Sequence, residues 1–152
     1  PTVNSYKRIN APRTSSGSTW APNTVTWSGD NRTHLVRVPG KGRIELRLPD
    51  GAANPYLMQA VIVAAGLDGV RTKADPGKRL DIDMYQDGHK IKNAPKLPLN
   101  LLDALRAYDK DTTLKGMMGE DFSAAYLKTK QREWDSYVSH MSSWEIENTL
   151  DI

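Results

Sequence analysis

The feature that most constrains this chain is a turn followed by a strict two-residue alternation. Gly40-Lys41-Gly42 is a turn signal, and Arg43-Ile44-Glu45-Leu46-Arg47-Leu48 then alternates charged and apolar side chains without a break. A period of two puts Ile44, Leu46 and Leu48 on one face of a strand and Arg43, Glu45 and Arg47 on the other. Residues 34–38 are rich in β-formers and stop at Pro39-Gly40, so the two runs predict an antiparallel hairpin. One of its faces should be buried and the other highly charged. Residues 25–27 predict a further short strand.

The rest of the chain reads as helices. Asn54-Pro55 is a helix start, with Asn54 as N-cap and Pro55 in the first helical position. Residues 56–67 are apolar almost all round, broken only by Gln59, which predicts a helix in the middle of a core and one too short to cross a bilayer. Gly66 and Gly69 stand where that helix is expected to end. Residues 73–98 carry Pro76, Pro95 and Pro98 and predict a connector with little regular structure. Helical spacing returns over residues 100–108 (Leu101, Leu102, Leu105) and 121–138 (Phe122, Ala125, Tyr126, Lys130, Trp134, Tyr137). Antiparallel strands over about residues 25–48 therefore precede helices, an α+β pattern without βαβ alternation. Residues 10–23 hold Pro12, Gly17, Pro22 and the low-complexity run 14–19, so they predict an exposed loop. Structureless loops of that length usually serve a function, and a flap on the substrate side is expected.

Composition limits the alternatives. A chain of 152 residues makes one domain or part of one, and its opening at Pro1 without Met reads as a piece of a longer protein. With 38% hydrophobic residues it is too apolar for general disorder. No apolar run reaches membrane-spanning length. The absence of Cys removes a disulfide framework, a thiolate metal site and a cysteine nucleophile, and it fits a cytoplasmic protein. The net charge is only +3, yet residues 1–50 hold eight Lys or Arg against three Asp or Glu. That asymmetry points to an anionic partner: phosphate, carboxylate or nucleic acid.

The charged strand face narrows the chemistry. Same-face side chains lie roughly 6.5–7 Å apart, so Arg43 and Arg47 can each meet Glu45 or a ligand beside it. Arg32, Arg37 and Lys41 are close in sequence, which surrounds one carboxylate with five cations. Arg offers paired donors to carboxylate and phosphate, and Lys offers a point charge. The lone carboxylate could hold a divalent cation that bridges phosphate oxygens. The competing account is a solvated ion ladder, worth little. Spacing alone points to anion or phosphate handling and no further.

Asn4-Ser5-Tyr6-Lys7-Arg8, Asn31-Arg32 through Arg37-Val38-Pro39, Arg43-Ile44-Glu45-Leu46-Arg47-Leu48-Pro49-Asp50, Ala53-Asn54-Pro55-Tyr56 and Ala65-Gly66-Leu67-Asp68-Gly69 together resemble the glutamine synthetase superfamily. The resemblance is strongest over residues 4–70 and is to the last third of the catalytic domain. It implies that residues 1–152 are the C-terminal portion of a single catalytic domain, with the N-terminal domain and most metal ligands upstream. It also implies an ATP-dependent ligase that makes γ-glutamyl phosphate from glutamate and lets ammonia or a small alkylamine displace the phosphate, using Mg2+ or Mn2+. The whole protein would then form a homo-oligomeric ring. By the same resemblance, Arg8 and Arg47 hold glutamate carboxylates, and Arg32 and Arg37 neutralise the transferring phosphoryl group. Arg37, Lys41 and Arg43 contact the nucleotide, and Glu45 is a metal ligand.

The chain departs from that pattern at the flap. Ammonia-using members carry a Glu shortly after the Arg8 motif, but no acidic residue occurs in residues 1–29, and Trp20 precedes Ala21-Pro22. An indole there offers an apolar wall and a cation–π surface suited to an alkylammonium, as in the related γ-glutamylmethylamide synthetases. The plainer alternative is that Trp20 packs the flap. His34 reads as a structural histidine, and His89 and His140 show no ligand spacing. Tyr85 falls near a position adenylylated in some bacterial relatives, in surroundings that match poorly. Two other classes compete. A nucleic-acid-binding module would use the basic first third, but the charged face lacks aromatics and Glu45 would have no purpose there. A non-catalytic relative would not need the intact Arg/Glu set.

Overall fold

The computed structural model describes residues 1–12, 15 and 20–150. In chain order the elements are helix α1 (Ser5–Ile9), strands β1 (Trp27–Ser28), β2 (Val36–Gly40) and β3 (Arg43–Leu46), and then helices α2 (Pro55–Thr72), α3 (Met84–Asp87), α4 (Leu101–Lys110), α5 (Thr112–Met118), α6 (Glu120–Val138) and α7 (Ser143–Thr149). Apart from the short α1, strands come first and helices after, the α+β order expected. Part of the expected flap, residues 13, 14 and 16–19, lies outside the described residues.

β2 and β3 form the antiparallel hairpin, with Val36 opposite Leu46, Arg37 opposite Glu45 and Gly40 opposite Arg43. The register shifts between Arg37 and Gly40. Pro39, which has no N–H to give to a ladder, sits inside that irregular stretch. Gly42 supplies the positive φ of 72° at the tip. Two details differ from the sequence expectation. β1 is confined to Trp27–Ser28 and pairs with β2 in parallel, not antiparallel. The cause is the loop between them: the Asn31 side chain accepts from the Thr33 N–H at 2.9 Å, and Gly29 O accepts from Val38 N at 3.1 Å, carrying the chain over instead of back. The hairpin's apolar face is also largely open, with Ile44 72% and Leu48 41% exposed.

The buried core is helical. Tyr6 of α1 and Leu101 and Leu105 of α4 form its centre, flanked by Val3, Ile9, Ala104, Tyr126, Leu127 and Trp134. Asn100 caps α4 by accepting from Asp103 N, and the i, i+4 spacing of Leu101 and Leu105 turns both inward. Val3 N donates to Glu133 Oε1 at 3.0 Å, tying the segment before α1 to α6. Tyr108 of α4 shares a hydroxyl bond of 2.7 Å with the buried Ser123 of α6.

α2 begins as expected: Asn54 Oδ1 accepts from Tyr56 and Leu57 N–H, and Pro55 occupies the first turn. It does not end at Gly66 or Gly69. Both glycines keep helical backbone, and the left-handed cap is Lys73, with φ of 52°. Nor does α2 lie inside a core here, since Tyr56 is 81% exposed, Val63 60% and Val70 76%. Its inner side packs against α5 and borders an apolar groove of about 650 Å³ walled by α1, α2, α4, α5 and α6. Residues 73–98 are mostly irregular as expected, apart from α3, a 3-10 turn at Gly88–Lys90 and a bridge between Thr24 and Lys96.

Candidate active site

The register of the hairpin decides which charges meet. Because Arg37 is opposite Glu45, its guanidinium reaches across the two strands, and Nη1 donates to Glu45 Oε2 at 2.7 Å. Arg47, two residues on from Glu45 and one past the end of β3, brings Nε to within 3.3 Å of Glu45 Oε1. Both carboxylate oxygens of Glu45 are thus engaged by guanidinium groups. The Arg37 hydrogen bond, with further attraction from Arg47 and Arg32, holds the Glu45 carboxyl below the usual carboxylate range.

Arg47 is held from behind. Arg8 of α1 donates Nη2 to Arg47 O at 3.2 Å and Nη1 to Pro49 O at 3.2 Å and Leu48 O at 3.3 Å. The helical core thereby fixes the strand's exit. Burial pushes the Arg47 guanidinium down, and its Nη1 is buried without a hydrogen-bond partner. A guanidinium donor left unmatched in a polar site is costly unless a ligand completes it. Such a donor suits a carboxylate.

Arg32, Lys41 and Arg43 are exposed and, among the described residues, join no ion pair. Lys41 and Arg43 flank the hairpin tip, while Arg32 is close enough to act on both Glu45 and Arg47. Trp20 stands apart from this cluster. Its indole N–H donates to Thr33 O at 3.2 Å, and its ring meets Tyr85 edge-on at 5.3 Å. It lines a separate cleft of about 250 Å³ with Thr33, Met84, Tyr85 and His89, one residue behind Arg32.

A divalent cation finds one suitable donor here. Glu45 is ionised and faces the cations, but the described residues contain no group of three His, Cys, Asp or Glu that could hold a metal. His34 is fully buried, with Nε2 at 3.0 Å from Ile82 O and Nδ1 at 3.0 Å from Thr26 Oγ1. A carbonyl only accepts, so Nε2 donates to Ile82 O. Both nitrogens are spent on structure.

One participant was not singled out by the sequence. Asp30 accepts from Arg37 Nε at 2.7 Å and also from Nη2, on the side of the guanidinium away from Glu45. These bonds, from Asp30 first and Glu45 second, push the Arg37 guanidinium up. The signal was present: Asp30 is the first acidic residue of the chain and directly precedes Asn31-Arg32.

Residues 1–149 match the glutamine synthetase catalytic domain. The chain belongs to this family. It is 70% identical over its whole length to a glutamine synthetase of Rhizobium meliloti and covers 35% of that protein. It is 41% identical to a glutamate–methylamine ligase of Methyloversatilis universalis, with 99% of the chain and 34% of the relative aligned. Among solved structures it superposes on one described as a GmaS/ADP complex with a TM-score of 0.90, at 62% identity, covering 100% of this chain and 35% of that one. An apo GmaS structure gives 0.89 at 58% identity, over 100% of this chain and 34% of the other. This glutamine synthetase-family chain therefore spans about a third of the length of its relatives. No helix among its described residues is long and apolar enough to cross a membrane.

Proposed function

We propose that residues 1–152 are the C-terminal portion of a ligase catalytic domain, and that the whole protein joins an amine to the γ-carboxylate of glutamate at the expense of ATP. The observation that carries this reading is the convergence of Arg37, Arg47 and the ionised Glu45 on one strand face, in a chain that matches the family over residues 1–149. The γ-phosphoryl group of ATP moves to the glutamate γ-carboxylate, giving ADP and an acyl phosphate. The amine nitrogen then attacks the acyl carbon, phosphate leaves and the nitrogen loses a proton.

Each residue has a place in that scheme. Arg47 offers its unmatched Nη1 to a glutamate carboxylate, and Arg8 fixes the backbone that carries Arg47. Arg32 and Arg37 spread positive charge where the phosphoryl oxygens gather negative charge, and fixed cations of this kind stabilise a transition state without reorganising. Lys41 and Arg43, free at the hairpin tip, meet the nucleotide, with Arg37 beside them. Glu45 contributes one oxygen to Mg2+ or Mn2+, and the remaining ligands come from outside these residues. Such an ion would withdraw negative charge from the phosphate. A cytoplasmic homo-oligomer belongs to the same reading and is supported by the exposed apolar side of α2.

The amine is ammonia or a small alkylamine, and the relatives' names point both ways. The lack of any acidic residue before Asp30 favours the alkylamine, because an ammonium ion would have no flap carboxylate. Trp20 is locked against Thr33 and Tyr85 behind Arg32, a geometry equally suited to packing the flap and to walling an amine pocket. Steady-state kinetics of the whole protein with ATP and glutamate test both levels. Formation of γ-glutamyl amide with higher kcat/KM for methylamine than for ammonium is the expected result. Reversed preference would remove the alkylamine assignment, and no amide with either would remove the ligase.

A further inference from the structure

Arg37 is gripped from two sides, and only Glu45 on one side belongs to the Arg/Glu set. The other grip is Asp30, presented from the turn between β1 and β2. That turn is pinned: Asn31 N donates to Gly29 O at 2.8 Å, Asn31 Nδ2 to Ile82 O at 2.8 Å, and Thr33 Oγ1 to Asn31 Oδ1 at 2.7 Å. Met84 N in turn donates to Thr33 Oγ1 at 2.9 Å, so residues 82–84 brace the turn from below. The Asp30 side chain is 67% exposed, and an ion pair that open adds little to stability. Its value lies in geometry.

A guanidinium has five N–H donors. Asp30 takes Nε–H and one hydrogen of Nη2, and Glu45 takes one of Nη1. Rotation is then restricted, and two hydrogens, one on each Nη, remain for a ligand. Without Asp30 the Arg37 charge would fall on Glu45 alone and draw closer to the oxygen that is to meet a cation. We propose that Asp30 is a positioning residue, holding Arg37 with a donor pair turned outward toward a phosphoryl group and sharing its charge so that Glu45 stays available. This rests on the reading of Arg37 as a phosphoryl contact.

The test is a double-mutant cycle in the whole protein with Asp30→Asn, Asp30→Glu, Arg37→Lys and the Asp30→Asn/Arg37→Lys pair. Asp30→Asn should lower kcat by about 10-fold, within the range a misaligned catalytic group costs. The KM for glutamate and for the amine should stay within about twofold, and Asp30→Glu should recover most of the rate. On the Arg37→Lys background Asp30→Asn should have almost no further effect. Unchanged kcat in Asp30→Asn, strictly additive losses, or a rise in amine KM alone would each overturn the assignment, the last by making Asp30 an amine contact. ADP binding by calorimetry reads the same cycle without turnover. If the wild-type protein makes no amide, the ligase reading fails, and the positioning role is decided by whether Asp30→Asn weakens ADP only when Arg37 is present.

Discussion

At the scale of single residues, the account depends on charges that are useful because they are not fully neutralised. Glu45 is the pivot, accepting from Arg37 and forming an ion pair with Arg47. Glu45→Gln keeps the shape but loses the charge, and should lower kcat/KM of the whole enzyme on the order of 10²–10³-fold, the usual loss for one preorganised electrostatic contact. The same carboxyl sets a pH dependence. Its folded pKa lies below the unfolded value of 4.5, so its contribution to stability is complete above about pH 4.5 and fades as pH falls through the lower folded value. Urea midpoints measured from pH 6 down to pH 3 should fall more steeply in wild type than in Glu45→Gln, which keeps the decline due to the other lowered carboxyls such as Asp81 and Glu133, and identical slopes would show that the cluster adds nothing. The alternation of residues 43–48 made this face legible, because a period of two needs no tertiary knowledge. Asp30 stood out only by its place before Asn31-Arg32, and its meeting with Arg37 depends on a parallel crossing that no local pattern announces.

At the scale of elements, caps were readable and ends were not. Asn54-Pro55 marks the start of α2 through local hydrogen bonding, which the chain carries with it wherever it packs. Gly66 and Gly69 suggested an end because glycine favours left-handed caps, yet neither adopts one, and the helix runs to Thr72. At Gly66 an added Cβ meets nothing within 4 Å. Gly66→Ala should therefore stabilise the 152-residue chain by roughly 0.5–1 kcal/mol, read as a higher midpoint in chemical denaturation. A loss of stability would mean that this face is already covered in solution. Helices α1 and α5 escaped the sequence reading because both are short and held by tertiary contacts more than by periodicity.

At the scale of the whole molecule, the apolar surface exceeds what 152 residues can cover. Ile44, Tyr56, Val63, Val70 and Trp144 are each at least 60% exposed, and the chain also carries an apolar groove of about 650 Å³. Exposed patches of this kind mark surfaces that pack against something else. The 152-residue chain alone should self-associate with rising concentration and bind a hydrophobic dye. A monomer by sedimentation that melts cooperatively and ignores the dye would contradict this. The all-apolar run of residues 56–67 placed α2 in a core and the alternation of residues 43–48 placed one hairpin face in one, yet both surfaces are largely open.

Glutamate-dependent release of ADP by the whole protein tests the central claim most directly, since it isolates phosphoryl transfer from the choice of amine. Wild type should release ADP from ATP only when glutamate and a divalent cation are present, and Arg37→Lys and Glu45→Gln should each reduce that rate at least about tenfold without unfolding the protein. ADP release that ignores glutamate, or that survives both substitutions unchanged, would contradict the account.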